Sequence, residues 1–559
     1  MIQHQGRGLT ALVWLGAIVT GCGGWVDLDS PKANGGSASG FTGTAGKPAA
    51  VGGAVGMAGS GGEIIGRGGA ATDSPVDDGA GGDLLNTELA RFQVLVSPAP
   101  TLLPAGASAP GVIWIGTPTI SNGSLEKGVL IGSSEYCFKS PGSGFSCDWM
   151  TREPFIWTEA AGMVVFDHLS DLPAATSYYP QLVSDDGATV VGTFSVAAGF
   201  GGYFRWTKAG GITRLGEPSG TDSGMPEHMS RDGRIVTGMA KIAKGGGPQD
   251  DVGHQPFLWT VADGYRALSS FETWPAGAEL MGLSEDGSVL VGQTTELPKQ
   301  AFRWSPTTGV EQLGTLSGLS SCTVDRISAD ATTIFGSCQN WPDPGTTFVW
   351  SEGSGIAPVQ QGTTACQMYP YALSDNGASA FGTAACGATQ ARAAIRWSAA
   401  TGVVPLPAPA TGHGIVSLNA TNPAGSMTFG VLLPAGADDF PEEGVVGASP
   451  FRWSVAEGLV PLPGLPGHMF SYAYATDVAG DVLVGRSRNQ NAQSEAVLWD
   501  SEGALGIAGY LGTLGVNLNG AHLQRAERVA TRNGFTIVQG IIDDQNRTGA
   551  WIAWLPQRH

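Results

Sequence analysis

Short runs of apolar residues alternate with polar turns along most of this chain. From about residue 120 one pattern, S-x-D-G-x-x-V-V-G, recurs, as in SDDGATVVG (184–192), SRDGRIVTG (230–238) and SEDGSVLVG (284–292). Asp-Gly and Asn-Gly supply the positive φ angles of a two-residue hairpin turn, and a β-branched run after the turn favours a strand. Each copy therefore predicts two antiparallel strands joined by a tight turn.

An aromatic strand follows each of these hairpins. It reads PFIWT, YFRWT, PFLWT, AFRWS or a related sequence, in which the Phe and the Trp lie two residues apart and so share one face of a strand. We predict that the tryptophans of this strand form the core between neighbouring sheets. They are Trp157, Trp206, Trp259, Trp304, Trp350, Trp397, Trp453, Trp499 and Trp554.

A run of the type G-V-x-x-L predicts a fourth strand after the aromatic one. Four short antiparallel strands repeated every ~50 residues are typical of a β-propeller blade, which becomes stable by stacking against its neighbours. The predicted fold class is therefore all-β, a β-propeller of eight or nine four-stranded blades. The last copy ends after Trp554 without a fourth strand, and the run ARFQVLVS (90–97) is predicted to supply it and close the ring.

Charged residues occupy two recurrent places in the repeat. Arg205, Arg303, Arg396 and Arg452 lie between a Phe or Ile and the Trp, on the opposite strand face, where we expect ion pairs between blades. The turn acids Asp186, Asp232 and Asp286 are explained by turn chemistry, because a calcium site needs several closely spaced oxygen ligands and each turn offers one acid.

The N-terminus has the pattern of a targeting signal. Residues 1–21 contain an apolar run too short to span a bilayer, and it ends in Val-Thr-Gly-Cys, which resembles the lipobox of bacterial lipoproteins. The resemblance implies that Cys22 is lipidated and anchors the protein to a membrane. Gly23 then favours the outer membrane, with the protein periplasmic or surface-exposed. Residues 22–89 are rich in Gly, Ala and Ser and predict a flexible linker, and residues 90–559 form the propeller.

The composition and net charge of the chain limit the classes of ligand that it can bind. The chain has 559 residues and a net charge of −19, which argues against nucleic acid as a ligand because phosphate binding needs a basic surface. No cofactor motif is present, and we expect no cofactor and no bound metal. We also expect a monomer, with a protein or a glycan as its ligand.

The cysteines after Cys22 fall into pairs that are symmetric about turns. Cys322 and Cys338 are centred on Asp330, Cys366 and Cys386 on Asn376, and Cys137 and Cys147 on Gly142. Residues at equal distances from a turn face each other across two strands, within reach of a disulfide. We predict three local disulfides and therefore an oxidising compartment.

The repeat resembles the extracellular HAF-repeat family, and HQPFLWT (254–260) and QAFRWS (300–305) are its nearest copies. The resemblance covers most of the propeller region, although Ile395 and Val497 stand where the Phe is expected and most copies lack the His. It implies a repeat fold and an extracellular location, but the family name carries no activity.

Catalytic motifs are missing from the sequence. The histidines form no H-x-H or H-E-x-x-H motif and no G-x-S-x-G motif occurs, although His228 and His468 each precede a Met and could occupy comparable places in two blades. The sequence therefore favours a non-catalytic binding scaffold for protein or glycan. Two alternatives stay open: a secreted propeller enzyme that acts on glycans as a hydrolase or lyase, and a structural envelope protein. Carboxylates or histidines clustered at one end of the channel would favour the enzyme.

The anchor is tested by the substitution Cys22→Ala. Because the thioether-linked lipid would be the membrane attachment, we expect the variant to move from the membrane fraction to the soluble fraction. Immunoblotting of the two fractions measures this shift. Retention of the variant on membranes would contradict the anchor.

Overall fold

The structure, a computed structural model, describes residues 90–95, 113–139, 149–172, 176–196, 199–217, 221–242, 253–268, 277–340, 345–386, 392–407, 413–434, 446–544 and 547–558. The signal peptide, Cys22, the linker and Cys147 lie outside these residues. The anchor and the pairing of Cys137 with Cys147 therefore stay predictions. No helix within the described part of the chain is long and apolar enough to cross a membrane.

The strands form nine antiparallel sheets, and each sheet is one blade of a β-propeller ring. The first strand of the chain is β1 (Arg91–Val94). Blades 1 to 4 comprise β2 (Ile113–Ser124), β3 (Val129–Lys139), β4 (Trp149–Thr158), β5 (Gly162–Val165); β6 (Ser177–Val183), β7 (Thr189–Val196), β8 (Gly199–Thr207), β9 (Gly211–Arg214); β10 (Thr221–Met229), β11 (Ile235–Ile242), β12 (Gly253–Thr260), β13 (Gly264–Ala267); and β14 (Ala278–Leu283), β15 (Leu290–Thr294), β16 (Ala301–Ser305), β17 (Gly309–Gln312).

Blades 5 to 9 follow the same plan, with an extra two-residue strand in blade 6 and a helix before blade 9. They comprise β18 (Ser321–Ile327), β19 (Thr333–Gln339), β20 (Thr346–Ser351), β21 (Gly355–Pro358); β22 (Gln360–Gln361), β23 (Thr364–Leu373), β24 (Ser379–Cys386), β25 (Arg392–Ser398), β26 (Gly402–Pro405); β27 (His413–Thr421), β28 (Met427–Pro434), β29 (Ser449–Ser454), β30 (Gly458–Pro461); β31 (His468–Thr476), β32 (Leu483–Asn489), β33 (Ser494–Asp500), β34 (Gly503–Gly506), α1 (Ile507–Thr513); and β35 (Leu523–Arg532), β36 (Phe535–Asp544), β37 (Arg547–Pro556).

The N-terminal strand closes the ring. β1 pairs antiparallel with β37, so that Arg91 faces Trp554 and Val94 faces Trp551. The last blade therefore takes three strands from the C-terminus and its fourth from the N-terminus, in the order β1-β37-β36-β35. The predicted propeller fold is confirmed, with nine blades, and the predicted closure is what the structure contains.

The turns between the first two strands of a blade are longer than predicted. In blade 2 the backbone N–H of Ser184 donates to the carbonyl oxygen of Thr189 (2.9 Å), which leaves four residues in the turn. Only the third of these four residues, Gly187, has a positive φ (65°). A two-residue turn was the wrong prediction for this copy, because four-residue turns are built around a type I turn that needs one left-handed residue. Blade 9 has the two-residue form, at Asn533 and Gly534.

Two side chains satisfy the polar groups of the four-residue turn. In blade 2 the Ser184 hydroxyl donates to Asp186 Oδ1 (2.6 Å) and accepts from the Thr189 N–H (3.0 Å), while Asp186 Oδ1 accepts from the Ala188 N–H (2.9 Å). The same Ser–Asp arrangement recurs at Ser230, Ser284 and Ser328 and, with Asn376 as the acceptor, at Ser374. Local turn chemistry therefore explains these acids, as expected.

The last glycine of each S-x-D-G-x-x-V-V-G copy has a packing role. Gly192 on β7 pairs with Pro180 on one side and with Phe204 on the other. A Cβ atom on Gly192 would overlap the backbone of β6 and lie 2.8 Å from the Phe204 ring. The third strand therefore packs its aromatic ring directly over the glycine of the second strand, and a larger residue has no room there.

The predicted core tryptophans lie between blades where the structure gives their neighbours. Trp157 of blade 1 contacts Trp554 of blade 9, with ring centroids 6.2 Å apart, and Trp397 packs edge-on against Phe335 of the preceding blade (4.8 Å). Six of the nine are buried: Trp157, Trp304, Trp350, Trp397, Trp499 and Trp554. Trp206, Trp259 and Trp453 are partly buried against the cores of their own interfaces.

Among the described residues, the arginines of the aromatic strand do not form the predicted ion pairs between blades. Arg303 pairs with Glu311 of its own blade (2.9 Å), and Arg452 pairs with Glu457 of its own blade (2.9 Å). The contact between blades is instead a cation–π contact: Arg303 lies 4.7 Å from the ring centroid of Trp350 in the next blade. Arg205 makes the same contact with Trp259 (5.0 Å). An arginine stem can cover an aromatic face while its charge stays partly solvated.

Two of the predicted disulfides are confirmed, Cys322–Cys338 and Cys366–Cys386. In each pair the cysteines face each other across the first two strands, with Cα atoms 4.1 Å and 4.3 Å apart. A turn of four residues has its centre between two residues, so it cannot by itself place two cysteines symmetrically about a single residue. A one-residue bulge in the first strand, between each cysteine pair and its turn, shifts the register by one residue and brings the cysteines opposite each other. Without the bulge, the two cysteines would be one residue out of register.

The glycine constraint predicts a large loss of stability for Gly192→Ala. The added methyl group overlaps backbone that cannot move away, so we expect destabilisation by about 3 kcal/mol. Thermal unfolding followed by circular dichroism measures it. Gly509→Ala is the matched control, because a Cβ atom there has no neighbour within 4 Å; an equal melting temperature for the two variants would argue against the constraint.

Candidate functional site

The innermost strand of every blade contains a β-bulge at the same position. The bulged residue follows the one that pairs with the glycine of the second strand, so each blade contributes one extra residue beside the axis of the ring. These nine residues, which we call the bulge ring, are Ser121, Gln181, Glu227, Met281, Asp325, Tyr371, Asn419, Tyr474 and Glu527.

Hydrogen bonds between blades hold neighbouring bulges at one height. The Ser121 hydroxyl donates to the carbonyl oxygen of Pro180 in the next blade (2.6 Å). The Asn419 amide donates to the carbonyl oxygen of Ala473 in the same way (2.9 Å), and the Arg326 Nε–H donates to that of Pro370 (2.8 Å). These bonds link the bulge regions of blades 1 and 2, of blades 5 and 6 and of blades 7 and 8.

Glu227 and His228 occupy the bulge of blade 3, and burial shifts both pKa values toward the neutral forms. Burial and, to a smaller extent, the nearby Glu279 carboxylate raise the pKa of Glu227 to about 7, and Lys241 opposes the shift. Burial lowers the pKa of His228 to about 4. Near neutral pH this position therefore combines a neutral imidazole with a carboxyl group that exchanges its proton readily.

Asp325 and Arg326 occupy the bulge of blade 5. Burial raises the pKa of Asp325 to about 6, against the attraction of Arg326, and burial lowers the pKa of Arg326. The Asp325 side chain is nevertheless exposed to water. Asp325 is therefore a carboxyl group that protein surrounds on most sides but that water still reaches.

The bulge of blade 9 pairs opposite charges. Glu527 lies 2.8 Å from Arg525 and 3.8 Å from Arg528. Arg528 is buried, and its guanidinium also donates to Gln539 Oε1 (2.7 Å). This acid is therefore compensated by two cations, unlike Glu227.

The turns between the first and second strands meet around one end of the axis. The N–H of Asp185 donates to the carbonyl oxygen of Arg231 (2.9 Å), and the N–H of Arg231 donates to that of Glu285 (2.8 Å), so successive turns are linked. The Arg231 side chain contacts Glu285, Asp185 (3.8 Å) and Asp375 (3.7 Å). Asp375 is three blades away, so these side chains reach across the axis.

The predicted candidate histidines do not occupy comparable places. His228 follows a bulge, whereas His468 begins β31 at the opposite end of blade 8. The side chain of His254 lies outside the described residues. No group of three or more His, Cys, Asp or Glu side chains in the described ranges could hold a metal ion.

Sequence reasoning missed the bulge ring. Its signal is present, because the position three residues before the turn Ser changes from Gln181 to Glu227, Met281 and Asp325 while the surrounding frame repeats. A position that varies while its neighbours repeat is not needed for the packing that the repeated residues provide. Hairpin periodicity alone, however, does not reveal an extra residue in one strand.

Comparisons with known proteins find similarity among solved structures only. No family model matches the chain, and no curated protein is significantly similar to it. Among solved structures the chain resembles the dipeptidyl peptidase 4 of Porphyromonas gingivalis, with 9% identity over 79% of this chain and 65% of that one and a TM-score of 0.42. It also resembles the β-propeller domain of the Trilobed protease from Pyrococcus furiosus (7% identity, 63% of this chain and 97% of that one, TM-score 0.32). A third similar structure is a eukaryotic initiation factor (9% identity, 72% and 96%, TM-score 0.41).

These similarities concern the fold alone, because identity is low in each case. The resemblance to HAF repeats stays a prediction.

The raised pKa of Glu227 predicts a pH-dependent stability. The folded protein binds this proton more tightly than the unfolded chain, so the stabilisation is complete below pH 4.5 and is lost as the pH rises toward about 7. Glu227→Gln imitates the protonated form. We expect it to melt with the wild type at pH 4 and to be more stable at pH 8, by on the order of 2 kcal/mol.

Melting temperatures of the two proteins across this pH range measure the effect, and His228, present in both, cancels in the difference. Glu352→Gln, an exposed substitution in a turn, is the control. A difference between Glu227→Gln and wild type that does not change with pH would count against the shift.

Proposed function

We propose that this chain is a lipid-anchored binding propeller of the cell envelope, and that its ligand is held at the bulge ring. The observation that supports this most is the contrast between frame and ring. The glycine, the aromatic strand and the turn recur from blade to blade, whereas the bulged residues include a hydroxyl, two amides, three acids, a thioether and two phenols. The stability of the ring does not require different side chains at this position in each blade. Recognition of an asymmetric ligand does require them, because each blade then contacts a different part of the ligand.

The compartment is supported by the two disulfides. Cross-strand pairs such as Cys322–Cys338 persist where the environment is not reducing, which fits a location outside the cytoplasm. Attachment through Cys22 to the outer membrane is part of the proposal and rests on the resemblance to a lipobox.

The closure of the ring orients the molecule on its tether. Arg91 begins β1 opposite Trp554, and the Gln557 N–H donates to Gly534 in the turn of blade 9 (3.1 Å), so the linker joins the propeller at the turn face. The strand ends joined by residues 140–148, 243–252 and 435–445 lie at the opposite face. That face would point away from the membrane and toward partners.

One observation favours a second function, hydrolysis of a glycan. Glu227 has a pKa of about 7 and feels the charge of Glu279 on the neighbouring inner strand. A carboxyl group that stays protonated near neutral pH, beside another carboxylate, is the arrangement of a general acid in glycoside hydrolysis. Binding remains the first proposal, because the contrast between the repeated frame and the variable bulge ring involves all nine blades, whereas the arrangement of a general acid involves Glu227 and Glu279 alone.

The test compares wild type with the double variant Glu227→Gln/Asp325→Asn, each as the full chain. Both are screened against an array of defined oligosaccharides and synthetic peptides, and bound ligands are followed by chromatography for cleavage. We expect a retained ligand that is not cleaved and whose affinity falls about tenfold or more in the double variant.

Glu352→Gln serves again as the control and should bind like wild type. Cleavage products that disappear in the double variant would support the hydrolase instead. A ligand bound equally well by all three proteins would refute the role of the bulge ring.

A further inference from the structure

A cavity lies beside the only helix in the described part of the chain, away from the bulge ring. Its volume is about 420 Å³, within the range of small-molecule sites. It opens between the connection that precedes blade 8 and helix α1, at the end of the blade opposite the turns. The lining residues that carry the argument are Leu465, His468, Glu495, Leu505, Gly509 and Tyr510.

The cavity wall contains a histidine and a carboxylate that do not satisfy each other. His468 Nε2 and Glu495 Oε2 are 3.9 Å apart, too far for a direct hydrogen bond. The His468 side chain is only 11% exposed, and its Nδ1 atom is buried without a hydrogen-bond partner among the described residues. A hydroxyl group between the two would accept from the imidazole and donate to the carboxylate.

Two glycines at the start of helix α1 leave space for the cavity. A Cβ atom on Gly506 would overlap the Glu495 carboxylate, so the glycine leaves space for this acid. Gly509 is one helical turn further along α1, and a Cβ atom there would have nothing within 4 Å. The helix thus presents an open patch to the cavity where most residues would fill it.

The rest of the wall is apolar. Leu465, Leu505 and Pro466 line it, and Tyr510 adds an aromatic ring that packs partly against the core between blades 8 and 9. A ligand for this cavity therefore needs C–H faces for the apolar wall and hydroxyl groups for the polar pair. The net charge of −19 further disfavours an anion.

We propose that this cavity, which we call the helix pocket, binds a neutral saccharide, with one sugar hydroxyl bridging His468 and Glu495. The site is separate from the bulge ring, and the inference goes beyond the function proposed above. The helix pocket lies at the face opposite the turns, the same face as the strand ends joined by residues 140–148, 243–252 and 435–445.

The experiment uses the full chain and a panel of neutral mono- and disaccharides of glucose, galactose, mannose and N-acetylglucosamine, with affinities measured by calorimetry. Gly509→Leu should fill the pocket and weaken binding about tenfold or more. Gly512→Leu is the matched control, because Gly512 lies on the same helix, has the same free space and does not line the pocket. It should bind like wild type.

Glu495→Gln should also weaken binding about tenfold, because the hydroxyl loses a charged acceptor. Melting temperatures show that the variants are folded, and a leucine in place of a helical glycine is expected to leave them unchanged or higher. Equal affinities for Gly509→Leu and Gly512→Leu, or no binding of any sugar in the panel, would overturn the inference.

The double variant of the bulge ring separates the two proposals. If it binds the sugar normally while Gly509→Leu does not, the helix pocket is supported whatever the axis binds. If the double variant loses the sugar and Gly509→Leu keeps it, the sugar binds at the axis, which refutes the helix pocket and leaves the proposed function standing.

Discussion

The close packing of a third-strand side chain over a second-strand glycine is the constraint on which the ring depends. In blade 5, for example, Phe348 covers Gly336, and no Cβ atom fits between the ring and the backbone of the first strand. The glycine also marks where the first strand bulges. An aromatic ring covers the equivalent glycine in blades 1 to 5 and in blade 9. Sheets of this shape stack against each other, as where Trp397 packs against Phe335 of the preceding blade and Arg303 against Trp350 of the following one.

The same constraint separates stability from recognition. Packing depends on the glycine, the aromatic strand and the turn, and few other residue types fit at these positions. The bulge that the packing produces adds one residue per blade beside the axis, and this residue is free to differ. In blade 3 it is an acid with a raised pKa, in blade 5 an acid that water reaches, and in blade 9 an acid neutralised by Arg525 and Arg528. Three carboxylates at equivalent places thus have three different electrostatic settings.

The sequence was sufficient to predict the architecture, because each blade is a local unit whose turn and aromatic strand recur. The closure by residues 90–97 followed from the strand missing after Trp554, and two disulfides followed from symmetry about the turns. The turn length was wrong, since Asp-Gly suits both a two-residue turn and a type I turn with a left-handed glycine.

The candidate sites were beyond a sequence prediction. The acids Glu227 and Glu279 come from two blades and become neighbours only when the ring is formed, and a bulge leaves no periodicity of its own. The ion pairs expected for Arg303 and Arg452 were placed between blades, but each arginine has a closer acid in its own blade, in the fourth strand for Arg303 and in the turn before that strand for Arg452. Side-chain partners of this kind depend on distances that a repeat pattern does not contain.

The strand that closes the ring also connects it to the residues before Ala90. Any force transmitted through that segment acts first on β1, a four-residue strand at the outer edge of blade 9. Its hold on β37 consists of backbone hydrogen bonds, the contact of Arg91 with Trp554 and that of Phe92 with Trp551. Under tension the ring would open at this seam before any other blade lost a strand, and the detached strand would stay close enough to return. The disulfides, in blades 5 and 6, brace other blades and leave the seam free to yield.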